Sequence, residues 1–570
     1  MKPASKNLKL SNSLALQSDI KKSFASPFRN EGNSLAKGIE RAVIEINKLK
    51  PEQGKGGAFL GINSALTIDF KKVKNISLAQ KSISFDEIIK QVIQTFEGLP
   101  NWGHPLNMSN VCPQENIAAI VASMLTQVFS PNILEGEYAW NTARAELESV
   151  AILANLAGWN AQKAGGIYTY GGSGCWTYHL KYALSRVLPG SREKGIRTDA
   201  KVICSQQAHY TMLNSTDWSG LGMENIIKVK TVTGSNEMDM EHLEEVLKEC
   251  YAKKMPVASV VCTMGTTDAN AFDPVKKVRR LLRKYPNDRK YGKAFLYCDA
   301  VIGWSWMTFK DYNFKENVLS FSAPALKAID KNYKAVKDIF YADAFGVDFH
   351  KCFSPLASSI FVYKNAKEFE QLLSRKEAGY LQKRSPYNPH NYSLEVSRSA
   401  GGSMSGWATL KFLGAEGFQT MLGNILENKI YLVHQLQKHK DIVCVNSEDT
   451  GWVTLLRIYA RGVNAAGQYE NELKNPTYKA VLKRNNKTID AIGELLWKWF
   501  REGKKINGRP TAYLSTTTGF RPATYNVDLK DKKAVIYAIK IYPVNVFITR
   551  ESMDHAVDCI VAARDEIVAD

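Results

Sequence analysis

From residue 165 to residue 365 the chain alternates between two periods, and this restricts the fold more than any other feature. Short apolar runs at 201–205, 226–230, 257–262 and 294–298 each end in small or polar residues. Stretches with helical spacing separate them, notably 240–252 and 274–284. Strands separated by helix-length segments predict an α/β domain with a mostly parallel central sheet. A further strand-like run, 358–363, closes the region. In such sheets ligands bind beyond the carboxyl ends of the strands. The residues just after each run therefore carry the functional argument.

The flanks read differently. Residues 36–47 and 85–93 have helical spacing. The loop Gly54–Gly61 between them lacks the Gly-Lys-Ser/Thr ending of a phosphate-binding P-loop, so it reads as structural. A rigid loop at 99–106 is followed by helices near 115–129 and 143–159. Residues 311–338 read as an insertion with a lysine-rich helix. From 416 the pattern becomes helix, strand and helix again, at 423–439, 452–458, 479–501, 544–549 and 553–567. The expected organisation is an N-terminal helical segment or arm (1–103), a large α/β domain (104–415) and a small C-terminal α+β domain (416–570).

Composition excludes several classes. The 570 residues are 45% apolar and 23% charged, ordinary for a globular protein. The net charge of +19 is spread along the chain, with no RNA-binding signature or C2H2 spacing, so no nucleic-acid partner is expected. The nine cysteines form no Cys-x-x-Cys pair, and Cys262 and Cys298 lie inside apolar runs, as reduced thiols of a cytoplasmic protein do. The nine histidines are scattered and predict no metal site. No apolar run is long enough to span a membrane, and the first thirty residues lack the apolar core of a secretion signal.

The chemistry sits at the strand ends. Tyr168–Gly174 is a glycine-rich turn leading into a helical pattern near Cys175. Exposed amides at a helix start, with the Ser173 hydroxyl, make a phosphate cup at Gly172 and Ser173. His209 follows 201–205, Thr263 follows 257–262, and Asp299-Ala300 follows 294–298. A carboxylate among apolar neighbours, as at Asp299, is costly to bury unless a cation meets it. His350-Lys351 precedes the last strand-like run. Alone, His209 reads as a satisfied histidine, Asp299 as a helix cap and Lys351 as a solvated lysine. Together, in this order on one α/β domain, they fit a phosphorylated heteroaromatic aldehyde, pyridoxal 5′-phosphate. Lys351 is then its covalent anchor through a Schiff base, and Asp299 the partner of its pyridine nitrogen. His209 stacks on the ring, Thr263 meets the ring substituents, and Ala300 and His350 complete the cofactor set.

At this point the chain resembles the group II pyridoxal-phosphate decarboxylases, the family of glutamate, aromatic amino-acid, histidine and aspartate decarboxylases. The matching pieces are Gly171-Gly-Ser173, Gln207-Ala-His-Tyr210, Thr263-Met-Gly-Thr-Thr267 with Phe272-Asp-Pro274, Cys298-Asp-Ala300 and Ala342–Lys351. His104-Pro105, Arg398 and Val544–Thr549 extend the match from about residue 100 to the end. The resemblance implies the fold type I architecture of pyridoxal-phosphate transferases and α-decarboxylation of an L-amino acid. It also implies a homodimer with shared active sites. A loop tyrosine that reprotonates the α-carbon is implied as well, for which Tyr380 in Glu377-Ala-Gly-Tyr-Leu381 is the candidate. Arg398 either binds substrate or holds that loop. Trp102, His104 and Arg398 are the candidate substrate-binding residues, suiting a carboxylate or an aromatic side chain.

Four departures mark a divergent branch, one being the span from Asp299 to Lys351, which the insertion stretches. Gly174-Cys175-Trp176 replaces the usual Glu-Ala-Asn/Thr, Val301 stands where a small residue is usual, and Asp348-Phe349 stands where Asn/Asp-Pro is common. Two rivals keep the fold: a carbon–carbon lyase of the sphingosine-phosphate lyase type or an aldehyde synthase, and a non-catalytic scaffold. The complete set Ser173, His209, Asp299 and Lys351 argues against the scaffold.

Overall fold

Strand residues of the central region are apolar on both faces, and both faces are covered. A computed structural model of the chain describes residues 14–18, 20–29, 34–62, 68–232, 234–375, 385–446, 451–520 and 535–568. Its large sheet has seven strands: β1 Gly165–Thr169, β2 Lys201–Ser205, β3 Ile226–Val229, β4 Val257–Thr263, β5 Phe295–Asp299, β6 Ala344–Asp348 and β7 Ser359–Tyr363. Their order is β1-β7-β6-β5-β4-β2-β3. Strands β2 to β6 pair in parallel, and β7 lies antiparallel between β6 and β1. Every residue of β4, β5, β6 and β7 is buried, as expected of a sheet covered on both faces. Along β5, Phe295 and Tyr297 enter one apolar cluster while Leu296 and Cys298 enter another. That is the two-residue period of a strand dividing its side chains between two layers.

The α/β expectation therefore holds, with the parallel strands and the helices Met240–Ala252 and Val275–Lys284 where the periodicity put them. The lysine-rich helix of the insertion is Ala323–Val336. The later helix is longer than expected: it runs Gly401–Leu436, broken at Gly414, whose φ of 57° is left-handed.

A four-stranded antiparallel sheet forms the C-terminal region, in the order Ser515–Phe520, Ile536–Ile541, Thr454–Ile458, Ile442–Cys444. Helices Lys479–Glu502 and Arg550–Val568 pack against it around a core of its own. That core includes Ala58 and Phe59 of the N-terminal segment, and Leu106 and Met108 just after it, so these stretches are built into the C-terminal layer. The expected strand at 544–549 is instead a turn. Pro543 offers no N–H to a ladder, and Asn545 Oδ1 accepts from Phe547 N–H at 2.8 Å, closing the chain locally. Among the described residues, no helix is long and apolar enough to cross a membrane.

Candidate active site

Register aligns the site. Thr263, the last residue of β4, pairs with Asp299, the last of β5, and Asp299 pairs with Gly346 of β6. Two residues further, Asp348 ends β6. Carboxylates thus stand at adjacent carboxyl ends, and Lys351 follows in the turn to β7. Phe349 N–H donates to Ser358 O and Cys352 N–H to Phe349 O, tightening that turn. Asn116 holds its far side, donating to Phe353 O from its backbone N–H (2.9 Å) and its Nδ2 (2.6 Å).

Lys351 Nζ lies 3.3 Å from Asp348 Oδ2, and His350 Nε2 lies 3.6 Å from the same oxygen. Asp348 Oδ1 accepts from the Ser359 hydroxyl. Burial pulls the Lys351 ammonium down, but the Asp348 and Asp299 carboxylates more than offset it, and the group ends above the ordinary lysine value. Asp299 is 3% exposed; its Oδ2 accepts from Trp176 Nε1 at 2.8 Å, and its Oδ1 has no partner. Burial pushes the Asp299 carboxyl up, opposed first by the Trp176 hydrogen bond and then by Lys351.

The glycine-rich turn starts the helix Gly172–Val187 beside these groups. Gly171 makes the turn at φ 110°, which a side chain resists. A Cβ on Gly172 would lie 3.2 Å from Asp348 Oδ2 and from Val301 Cγ1, so the first turn of the helix abuts Asp348. Ser173 is exposed there. His209 is half-buried, and its Nδ1 accepts from Thr211 N–H (3.2 Å) and faces Thr211 Oγ1 (2.6 Å), which assigns the ring proton to Nε2. Burial lowers its pKa, with Asp299 pulling the other way. Thr263 N–H donates to Asp273 Oδ2 at 2.7 Å, and Thr263 Oγ1 is buried without a partner. Ala300 is fully buried behind Asp299.

The remaining predicted residues fare differently. Trp102 and His104 lie on a half-buried loop whose two carbonyls both accept from Asn545 Nδ2, at 2.6 and 2.9 Å. His104 Nδ1 accepts from Leu106 N–H at 3.1 Å, and burial brings its pKa down to about 4. Arg398 is 5% exposed, and its guanidinium donates to Glu146 Oε2 (2.5 Å), Ile133 O (2.9 Å) and Tyr168 O (3.1 Å), the contacts of a residue that holds its surroundings together. Tyr380 lies outside the described residues.

Several neighbours were not singled out from the sequence. Cys112 is near enough to feel the Lys351 charge, although burial, the larger effect, pushes its thiol up to about 11. Lys540 and Tyr542 reach in from the C-terminal sheet. Lys540 Nζ lies 2.8 Å from Asp268 Oδ1 and its charge acts on His209, while that of Lys351 acts on Tyr542. Lys540 lies near the end of strand Ile536–Ile541, and Tyr542 follows directly after it. Trp176 was visible only as a departure from a motif.

A lysine beside two carboxylates, an open carboxylate oxygen, a half-buried imidazole and a helix start at the carboxyl ends of the sheet fit an α/β enzyme built around a phosphorylated ring cofactor. The pyridoxal-dependent decarboxylase conserved domain matches residues 69–456, and the chain belongs to that family. The L-2,4-diaminobutyrate decarboxylase of Acinetobacter baumannii is 24% identical over 344 residues, covering 56% of this chain and 60% of that protein. The match thus spans less than two thirds of the relative. In fold, the chain is similar to Oryza sativa TDC with PLP and tryptamine (TM-score 0.73, 15% identity, 95% of this chain and 99% of that one). It is also similar to Rhodiola rosea 4-hydroxyphenylacetaldehyde synthase (TM-score 0.68, 13% identity, 94% and 97%). The family's cofactor is pyridoxal 5′-phosphate, and the residues present fit it: the unpartnered Asp299 Oδ1 is the acceptor a protonated ring nitrogen needs.

Proposed function

We propose that this chain decarboxylates an L-amino acid to the corresponding amine and carbon dioxide. The observation that carries the reading is the buried Asp299 with one free oxygen, on the strand next to the one whose end leads into Lys351 and Asp348. When bound, the cofactor supplies an electron sink that makes loss of the α-carboxylate possible. Lys351 holds it covalently and is kept within reach by Asp348. Asp299 holds the ring nitrogen, His209 one ring face, and Ser173 with Gly172 the phosphate. Thr263, Ala300 and His350 line the remainder. Tyr380 returns the proton to the α-carbon. Trp102 and His104 offer a neutral aromatic surface to the substrate side chain.

The chain acts as a cytoplasmic homodimer in this reading, organised as 1–103, 104–415 and 416–570. Helix Ile117–Phe129 supports the dimer: Ile117 and Phe129 are 78% and 79% exposed, and Ile120, Val121 and Leu125 are exposed with them. A stripe of that kind is a cost in water and a gain against a second copy. The resemblance to an aldehyde synthase favours measuring a second product on the same fold.

The test is a panel of the twenty amino acids plus diaminobutyrate and DOPA, read for carbon dioxide, amine and aldehyde, with wild type and Lys351→Ala. Wild type releases carbon dioxide and amine from at least one substrate, and the variant has neither cofactor colour nor turnover. Full turnover by the yellow variant sinks the reading, and aldehyde in place of amine replaces it with the synthase.

A further inference from the structure

Trp176 occupies one oxygen of Asp299 and nothing else polar. It is 2% exposed in helix Gly172–Val187, with its indole Nε1–H donating to Asp299 Oδ2 at 2.8 Å. Its ring meets Tyr297 edge-on at 5.7 Å and His179 edge-on at 5.5 Å, while His179 stacks on Tyr297 at 4.2 Å. His179 is fixed in turn by Ser259 Oγ, 2.8 Å from its Nε2. An indole wedged by two rings in a close-packed interior has one rotamer available. Its N–H is a donor only.

The rest of the unusual Gly174-Cys175-Trp176 segment brings the helix close enough. A Cβ on Gly174 would lie 1.9 Å from Thr169 Oγ1, and a Cβ on Gly346 of β6 would lie 3.0 Å from Cys175 Cβ. The helix therefore rides directly on the sheet, and the third residue reaches the end of β5.

We propose that Trp176 is a positioning residue for the cofactor: by holding Asp299 Oδ2 it sets the rotation of the carboxylate so that Oδ1 faces the ring nitrogen. The inference rests on the pyridoxal-phosphate reading of the site. Burial, the largest effect, pushes the Asp299 carboxyl up, and the Trp176 hydrogen bond is the first influence that opposes it.

The test titrates cofactor-free protein with pyridoxal 5′-phosphate and reads the dissociation constant by absorbance, for Trp176→Phe in the wild-type and Asp299→Ala backgrounds. A hydrogen bond to a charged group predicts a roughly tenfold weaker affinity in the first background. In the second background the change stays within about twofold, because the partner is gone. Benzothienylalanine at position 176, which replaces the indole N–H by sulfur at nearly constant shape, reproduces the loss and guards against a packing defect. Equal loss in both backgrounds, or unchanged affinity with the sulfur isostere, overturns the proposal while leaving the cofactor assignment intact. A wild-type chain that takes up no cofactor overturns both.

Discussion

Arg398 offers the sharpest choice between scaffold and substrate contact. Glu146, 2% exposed, accepts from Arg398, from Tyr168 N–H at 2.7 Å and from Tyr387 Oη at 2.7 Å. It ties helix Ala143–Leu156 to the edge strand β1 and to the segment before helix Gly401–Leu436. Glu146→Gln keeps the shape and removes the charge, leaving a buried guanidinium without its anion. Breaking a buried pair in this way costs about 3–5 kcal/mol, mostly the penalty of the stranded charge. With an unfolding entropy near 2.1 cal/mol/K per residue, a unit of roughly 300 residues loses about 1.5 °C per kcal/mol, so Tm falls by roughly 5–8 °C. Adding Arg398→Met removes the stranded charge and recovers at least half of the loss. The assay is thermal unfolding of the single and double variants, with KM measured on the best substrate of the panel. The double variant keeps KM within about threefold of wild type if Arg398 touches no substrate. A double variant with restored Tm but KM raised tenfold or more refutes the scaffold assignment and returns Arg398 to the substrate.

Three further outcomes follow from the geometry. Gly346→Ala places a methyl 2.3 Å from Tyr297 Oη; overpacking of this kind costs about 1–3 kcal/mol. It lifts helix Gly172–Val187 off β6, so cofactor affinity falls along with Tm, and a normal cofactor titration would show that the helix start does not depend on this contact. Asp273 has its pKa raised by burial from 3.8 to about 7, so the folded state holds the extra proton and stability falls as pH rises through that window. In denaturant titrations Asp273→Asn flattens this part of the profile; an unchanged slope rules out Asp273 as its source. His104 has the opposite sign: lowered from 6.5 to about 4, it contributes stability that is full above 6.5 and lost as pH falls toward 4. His104→Gln therefore lowers stability without moving the acid limb of the pH–rate profile between about pH 5 and 8, and a moved limb means that His104 titrates during turnover.

The sequence by itself determined the class of the fold and the cofactor chemistry. Parallel strands bury both faces, so 201–205, 257–262 and 294–298 are near-continuous apolar runs, and each ends where its ligand-facing residue begins. That Asp299 closes a strand, that Ser173 stands at a helix start and that Lys351 follows a strand end was legible because such ends are local events. The turn at 544–549 was misread because its residues look like a strand, while the bond that closes the turn comes from the Asn545 side chain. What only the tertiary structure decided is which polar group meets which. Trp176 and Asp299 are 123 residues apart, Asn116 and Phe353 are 237 apart, and Arg398 and Glu146 are 252 apart. No period in the chain encodes such a meeting. It follows from register and from which helix lies over which strand end. For Arg398 it decided the contacts: in a dry interior the guanidinium meets the Glu146 carboxylate of the protein itself.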